Sequence, residues 1–422
     1  MVIKIKTLKG NSAFLKEFYK PIVALVILMV LITYYVLAPA SPKIIATLSE
    51  DEMPSQNVAV ELNCARATAL SIGTAEGGLA KKCEQRENQK LSIASISKII
   101  TALVFLKHTQ SNEIELNTKI QLTPADVAIS ARYKSELQSA TIDVYVGQEI
   151  TYNQLLEGML IASAGNFAQI LVNHAFGGFN EYKKAAETYL SESKLSNTII
   201  GKDPDGIGDD TLSTANDLFE LGKLAMTQET IREITTSAKF TLEGNVYENT
   251  NELIDQGFTG IKTGTNYVSG DCLLFSYKVT KFGRTYNAIG VILHANAQRF
   301  DVAKEMLREL EKSIQEVEVV KEGETVGSIS YSSPLGEITQ ELVAKSAVKV
   351  PLAQNESVRF DVATDIAKKQ ITYAFRLSTA ESAENIAELS ATVNLESCAL
   401  PANSFFAHFE HITGVYTHPW CY

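Results

Sequence analysis

Residues suited to holding a metal are few in this chain. Six His and five Cys among 422 residues, in no zinc-ribbon spacing, argue against a metal-built fold, and no cofactor is expected. Internal repeats and low-complexity tracts are absent, so the chain is not a repeat array. Positive charge is in deficit, with 38 Lys and Arg against 49 Asp and Glu, a formal net charge of −11. Residues 1–40 hold five Lys and one Glu, so the remainder is more acidic still. An acidic body repels phosphate backbones, which excludes nucleic acid as an expected partner. What is present is a globular composition, 45% hydrophobic and 21% charged, with length for two or three domains at roughly 100–200 residues each.

Long apolar runs are also lacking, save one. No charge lies between Lys20 and Lys43, and Pro21 to Leu37 (PIVALVILMVLITYYVL) is almost wholly apolar. As a helix it nearly crosses a hydrocarbon core, which needs about 20 residues. Lys4, Lys6, Lys9, Lys16 and Lys20 precede it, so the N-terminus is expected in the cytoplasm and everything after Ala40 outside. Ala38-Pro39-Ala40 has the form of a signal cleavage site, but the apolar stretch exceeds the usual 7–15 or so residues of a signal, which favours a retained single-pass anchor. Export makes disulfides possible. Cys64 and Cys83 flank a hairpin-like segment, Cys398 and Cys421 bracket the tail, and Cys272, in an apolar run, reads as a small buried core residue.

The expected organisation is a basic cytoplasmic segment (1–20), an anchor or signal (21–40), a polar spacer (41–56), an α/β domain (57–313), a small all-β domain (314–397) and a tail (398–422). In the α/β domain, strand patterns at 66–72 and from Leu79 are followed by a helix from near Ser95. Further helices are expected at 152–175, 180–195 and 214–227, strands at 260–265, 272–280 and 285–294, and a closing helix at 299–313. Strands at both ends suggest a sheet formed by the two ends of the segment. The tail holds His408, His411, His418 and Cys421, whose spacing is not that of a zinc finger.

Three strings carry chemistry: Ser95-Ile96-Ser97-Lys98, Ser163-Ala164-Gly165-Asn166 and Lys262-Thr263-Gly264. Ser-x-x-Lys also occurs at Ser191 and Ser346, but only Ser95 opens an apolar helix. There the i, i+3 spacing sets a hydroxyl beside an amine, and the helix N-terminus offers N–H groups to a developing oxyanion. Lys262, with Thr263, Gly264 and Thr265, offers an ammonium and hydroxyls to a carboxylate, and a strand edge to an extended peptide.

With these strings in this order, the chain resembles the low-molecular-weight penicillin-binding proteins, the serine-type D-alanyl-D-alanine carboxypeptidases. The likeness spans about residues 57–330 and includes LSIASISKIITALV, DPDGIGDDTLSTANDL, Asn249-Thr250-Asn251 and GIKTGTNYVSGDCLLF. It implies a penicillin-binding, β-lactamase-like serine transpeptidase fold, an antiparallel sheet with helices, followed by the small β domain. It implies peptidoglycan stem peptides as substrate and β-lactams as covalent inhibitors. Ser95 would be the nucleophile, Lys98 the base, Ser163 the proton relay, Lys262 the carboxylate ligand, and the N–H groups of Ser95 and Thr265 the oxyanion hole.

The second motif departs from the family's Ser-x-Asn, because Gly165 stands two after Ser163. Either Ser163 keeps its place and Asn166 reaches substrate from a shifted position, or Asn166 keeps its place and Ala164 has replaced the hydroxyl. The following FAQILVNHAFG favours the first. A β-lactamase-like hydrolase and a catalytically impaired wall-binding scaffold are the rival readings.

Overall fold

A computed structural model describes residues 60–354, apart from 77, 84–88, 297, 334, 335 and 345. It also describes backbone elements at 12–37, 41–46, 53–54, 356–365, 370–379 and 388–394. The tail from 398, with its three His and two Cys, lies outside the described residues.

Helix α1 (Ser12–Leu37) runs for 26 residues. Among the described residues no helix is long and apolar enough to cross a membrane. The expected spacer carries two short strands instead, β1 (Ser41–Ala46) and β2 (Met53–Pro54). Its lack of a period concealed them, because their pairing partners lie almost 300 residues further along the chain.

The α/β domain is built on an antiparallel sheet. Strands β3 (Ala69–Thr74) and β4 (Gly78–Lys82) join β11 (Phe258–Asn266), β12 (Gly270–Lys281) and β13 (Arg284–Ala295) in the order β11-β12-β13-β3-β4. The two ends of the segment thus meet where β13 pairs with β3. Alternation along the central strands serves two cores. Cys272, Leu274, Ile289 and Val291 face the helical layer. Leu273, Phe275, Ala288 and Ile292 face α9 (Arg299–Ser313). Burial on both faces is why these strands read as nearly unbroken apolar runs. Cys272 is fully buried and unpaired, and burial pushes its thiol up to about 11. Cys64 and Cys83 are joined by a disulfide across a separation of 19, a closure worth about 3 kcal/mol in the chain-entropy account.

In chain order the helical layer falls between the two parts of the sheet, and it packs on one face of it. It comprises α2 (Ser97–Asn112), α3 (Pro124–Ser135), α4 (Tyr152–Leu160), α5 (Gly165–Phe176), α6 (Phe179–Glu192), α7 (Ala215–Thr227) and α8 (Glu229–Thr236). Short ladders pair β5 (Leu91–Ser92) with β8 (Leu212–Ser213), β6 (Lys119–Gln121) with β7 (Glu149–Thr151), and β9 (Lys239–Leu242) with β10 (Asn245–Glu248). From Ser97 to Leu106 every residue of α2 is buried, so it runs through the core rather than over it. The single helix expected over 152–175 is broken into α4 and α5, because Ser163 takes a left-handed φ of 60°. Helix α3 was not expected, although Thr123 and Asp126 form a complete capping box with Pro124 between them.

After α9 every described element is a strand: β14 (Gln315–Val320), β15 (Thr325–Ser333), β16 (Gly336–Val343), β17 (Val348–Leu352), β18 (Glu356–Asp365), β19 (Gln370–Thr379) and β20 (Glu388–Asn394). They form the ladder β14-β17 and the sheets β1-β15-β16 and β2-β18-β19-β20. Arg284, at the start of β13, reaches this part of the chain. Its guanidinium donates to both carboxylate oxygens of buried Glu356, at 2.7 and 2.6 Å, and to the Pro351 carbonyl at 3.1 Å.

Candidate active site

Ser95 lies in a single 3-10 turn, Ala94–Ile96, that leads directly into α2. Ala94 holds a left-handed φ of 45°, so the chain turns sharply just before the serine. One turn on, Lys98 brings its Nζ to 2.7 Å from Ser95 Oγ and 3.1 Å from the Asp205 carbonyl. Ser95 is partly exposed, whereas Lys98 is fully buried. Burial lowers the Lys98 pKa, and the nearby carboxylates of Asp205 and Asp203 partly oppose it.

The Lys-Thr-Gly string lies on β11, the edge strand of the sheet, and passes beside the Ser95 turn. A Cβ on Gly264 would stand 2.7 Å from the Ile93 carbonyl oxygen and 3.3 Å from the Ser95 nitrogen, so only glycine permits this approach. Lys262 is also fully buried, and its Nζ donates to Ser163 Oγ at 2.9 Å and to the Thr263 carbonyl at 3.1 Å. Burial, then the charges of Lys98 and Arg299, hold its pKa well below the usual lysine range. Thr263 shares a 2.6 Å hydroxyl contact with Thr250, while Asn251 donates to the Gly260 carbonyl at 3.0 Å and braces the approach to β11.

The structure therefore gathers Ser95, Lys98, Ser163, Lys262, Thr263, Gly264 and Thr265. Asn166 is not among them. Its amide donates to Ser130 Oγ and to the Ile142 carbonyl, both at 2.8 Å, and accepts from the Ile142 N–H at 3.2 Å. Both of its amide N–H groups and its carbonyl oxygen are engaged in tying α5 to α3 and to Ile142, so its expected substrate contact is corrected to a structural clamp. The reason lies in helical phase: one residue along α5 turns the side chain by about 100° away from the cleft.

Three residues were missed from the sequence. Arg299, read only as the start of a helix, donates to Thr265 Oγ1 at 2.6 Å and to the Gly264 carbonyl at 3.2 Å, with Asp271 at 3.3 Å. Asp205 lies within a stretch quoted for its likeness, yet carried no role. Tyr133 sits on the unexpected α3, and its hydroxyl donates to Asp205 Oδ1 at 3.1 Å. A capping-box search would have found α3, but nothing local to Tyr133 marks the contact.

A buried lysine against a partly exposed serine at the head of a core helix, flanked by a second serine–lysine contact and an edge strand, is an arrangement suited to serine–lysine acyl transfer. The chain belongs to the D-alanyl-D-alanine carboxypeptidase family: residues 79–297 match the model of the S11 peptidases, described in those words. Among curated proteins it is 26% identical over 202 residues to the D-alanyl-D-alanine carboxypeptidase DacF of Bacillus subtilis, covering 46% of this chain and 50% of that one. It is 28% identical over 195 residues to a D-alanyl-D-alanine endopeptidase of Escherichia coli, covering 43% and 58%. The chain thus spans between half and three fifths of the curated relatives' length. The fold is that of the Streptomyces K15 DD-transpeptidase, with a TM-score of 0.53 at 23% identity over 60% of this chain and 98% of that one. Penicillin-binding protein 5 from Haemophilus influenzae superposes with a TM-score of 0.55 at 15% identity, covering 78% and 97%.

Proposed function

We propose that this chain removes the terminal D-alanine from peptidoglycan stem peptides through an acyl-enzyme on Ser95. The observation that carries the reading is the 2.7 Å contact of Ser95 Oγ with a fully buried amine, that of Lys98. Burial favours the neutral amine, which is the form able to take the hydroxyl proton. Ser95 Oγ then bonds to the carbonyl carbon between the two D-alanines, and its proton passes to Lys98. The N–H groups of Ser95 and Thr265 receive the oxyanion. Ser163, in contact with Lys262 at 2.9 Å, relays this proton: it gives its own to the departing amine as the C–N bond breaks and regains one from Lys98, which returns to the neutral amine. Water then hydrolyses the ester. Arg299 supplies the cation, and the Thr265 hydroxyl and the Lys262 amine the hydrogen-bonding groups, that a free α-carboxylate requires.

Release of D-alanine from a synthetic stem pentapeptide tests the reading. Stoichiometric release with turnover supports it; no release, with no β-lactam adduct, would remove it. Rapid loss of a penicilloyl group instead would place the chain with the β-lactamases. Ser163→Ala is expected to slow acylation by more than tenfold, about 1.4 kcal/mol of transition-state stabilisation, in a stopped-flow assay with a chromogenic cephalosporin.

We also propose that the chain is held to the membrane by its N-terminal helix, with the domain after it outside. Support comes from the exposed Ile22, Leu25, Val26, Ile27 and Leu28 on α1, the five lysines before them, and a disulfide that belongs to an oxidising compartment. The full-length chain should sediment with membranes and resist carbonate extraction. A mature N-terminus at Ser41 by Edman sequencing would mean a cleaved signal. The strands from Gln315 onward are proposed as a separate β module, joined to the catalytic sheet through Arg284 and Glu356.

A further inference from the structure

The second motif lacks a polar side chain at 165, and the structure fills that place from elsewhere. A Cβ on Gly165 would stand 2.4 Å from Asp205 Oδ2 and 2.6 Å from Tyr133 Cε1, so a longer side chain at 165 would point at the carboxylate now found there. Asp205 is buried, with 1% of its surface exposed. Its Oδ1 accepts from the Tyr133 hydroxyl at 3.1 Å. Its Oδ2 makes no hydrogen bond and lies 3.6 Å from Lys98 Nζ. The carboxylate also lies beside the first turn of α5, where a helix dipole favours negative charge.

The loop that carries Asp205 is fixed. Asp203 accepts from the N–H groups of Gly206, Ile207 and Gly208 at 2.6, 3.1 and 2.9 Å. Gly206 has a φ of 72°, and a Cβ there would stand 2.0 Å from the Ala94 carbonyl oxygen, so the loop presses against the turn that holds the nucleophile. Thr101 on α2 donates to the Pro204 carbonyl at 2.5 Å and locks the loop from behind.

We propose that Asp205, held by Tyr133, occupies the place left by Gly165 and is the positioning residue for Lys98, orienting its amine and balancing the ammonium formed when it takes the Ser95 proton. The proton goes from Ser95 Oγ to Lys98 Nζ, and Asp205 accepts none. The proposal rests on the acyl-enzyme reading above. Its logic is that of a carboxylate behind a base, as in serine triads, with an amine in place of the imidazole.

The charged and titratable groups around Lys98 are Asp205 and Asp203 from the loop, Lys262 from β11, and Tyr133 and Tyr182, from α3 and α6, which face the two carboxylates. Without the Asp205 charge the ammonium loses its nearest partner, so the Lys98 pKa falls further. Acylation requires the neutral amine and so rises with pH through that pKa; the acid limb must then move to lower pH. Removing the Tyr133 hydroxyl acts oppositely, since it leaves the Asp205 charge undivided and raises the Lys98 pKa.

The test is the rate of Ser95 labelling by a fluorescent penicillin across pH, on the full-length chain. Asp205→Asn should move the acid limb down by about one pH unit and lower the high-pH plateau about tenfold, because a less basic amine is a weaker base. Tyr133→Phe should move the limb up. An unmoved limb in Asp205→Asn, or both variants shifting it the same way, overturns the proposal. If Asp205→Asn does not fold, Tyr133→Phe decides alone, an unmoved limb overturning the inference. Wild type that fails to label at any pH would overturn the acyl-enzyme reading itself, a result distinct from labelled wild type with unresponsive variants.

Discussion

Ser95→Ala is expected to abolish covalent labelling by penicillin, with mass spectrometry of the tryptic peptide containing residue 95 as the readout. The Ser95 hydroxyl is the only one in contact with Lys98 Nζ among the described residues, so no neighbour is placed to take over the role proposed for it. Lys98→Arg is expected to be almost as severe, with acylation at pH 7 falling by about 10⁴-fold, the scale seen when one member of a cooperating unit is removed. Guanidinium remains charged at any accessible pH and cannot take the serine proton. The charge itself is not what is lost, since Arg keeps it, so a Lys98→Arg enzyme with wild-type acylation would exclude Lys98 as the base. In wild type the limb should fall as pH drops through the lowered pKa of Lys98, with burial as its main cause.

Gly165→Asn should be the second large effect, and a loss rather than a gain. The family pattern has Asn at this place, yet here the first side-chain atom would collide with Asp205 Oδ2 and the Tyr133 ring. Overpacking of this kind costs about 1–3 kcal/mol. It also pushes the carboxylate away from Lys98, and acylation should fall at least tenfold. Combining it with Asp205→Ala makes room for the amide, and acylation should recover several-fold over the single variant. If Gly165→Asn alone were more active than wild type, the site would be a decayed one and the scaffold reading would take the place of the carboxypeptidase.

The elements most legible in the sequence were those whose signals are local or strictly periodic. The apolar face of α2 and the unbroken runs of β12 and β13 declare themselves because buried positions must be apolar and spacing follows the backbone period. Ser95 and Lys98 were legible together, since three residues along a helix place two side chains on one face. Gly264 was legible as part of a string, though its reason, the 3.3 Å approach of a would-be Cβ to the Ser95 nitrogen, is purely tertiary.

What could not be read were contacts between segments distant in the chain. The strands β1 and β2 lack a period of their own and exist through pairing with β15 and β18. The side chain of Asn166 belonged to a plausible motif, but one step of helical phase directs it to Ser130 and Ile142. Asp205 reaches Lys98 across a separation of 107 residues, and Tyr133 reaches Asp205 across 72. By itself the sequence brought out the Ser95–Lys98 pair and the strand that carries Lys262, because each follows from local periodicity or from adjacent residues. Only the tertiary structure decided which carboxylate faces the base and what stands in for the missing side chain at 165, because a hydrogen bond or a steric collision depends on distance in space, to which separation along the chain is no guide.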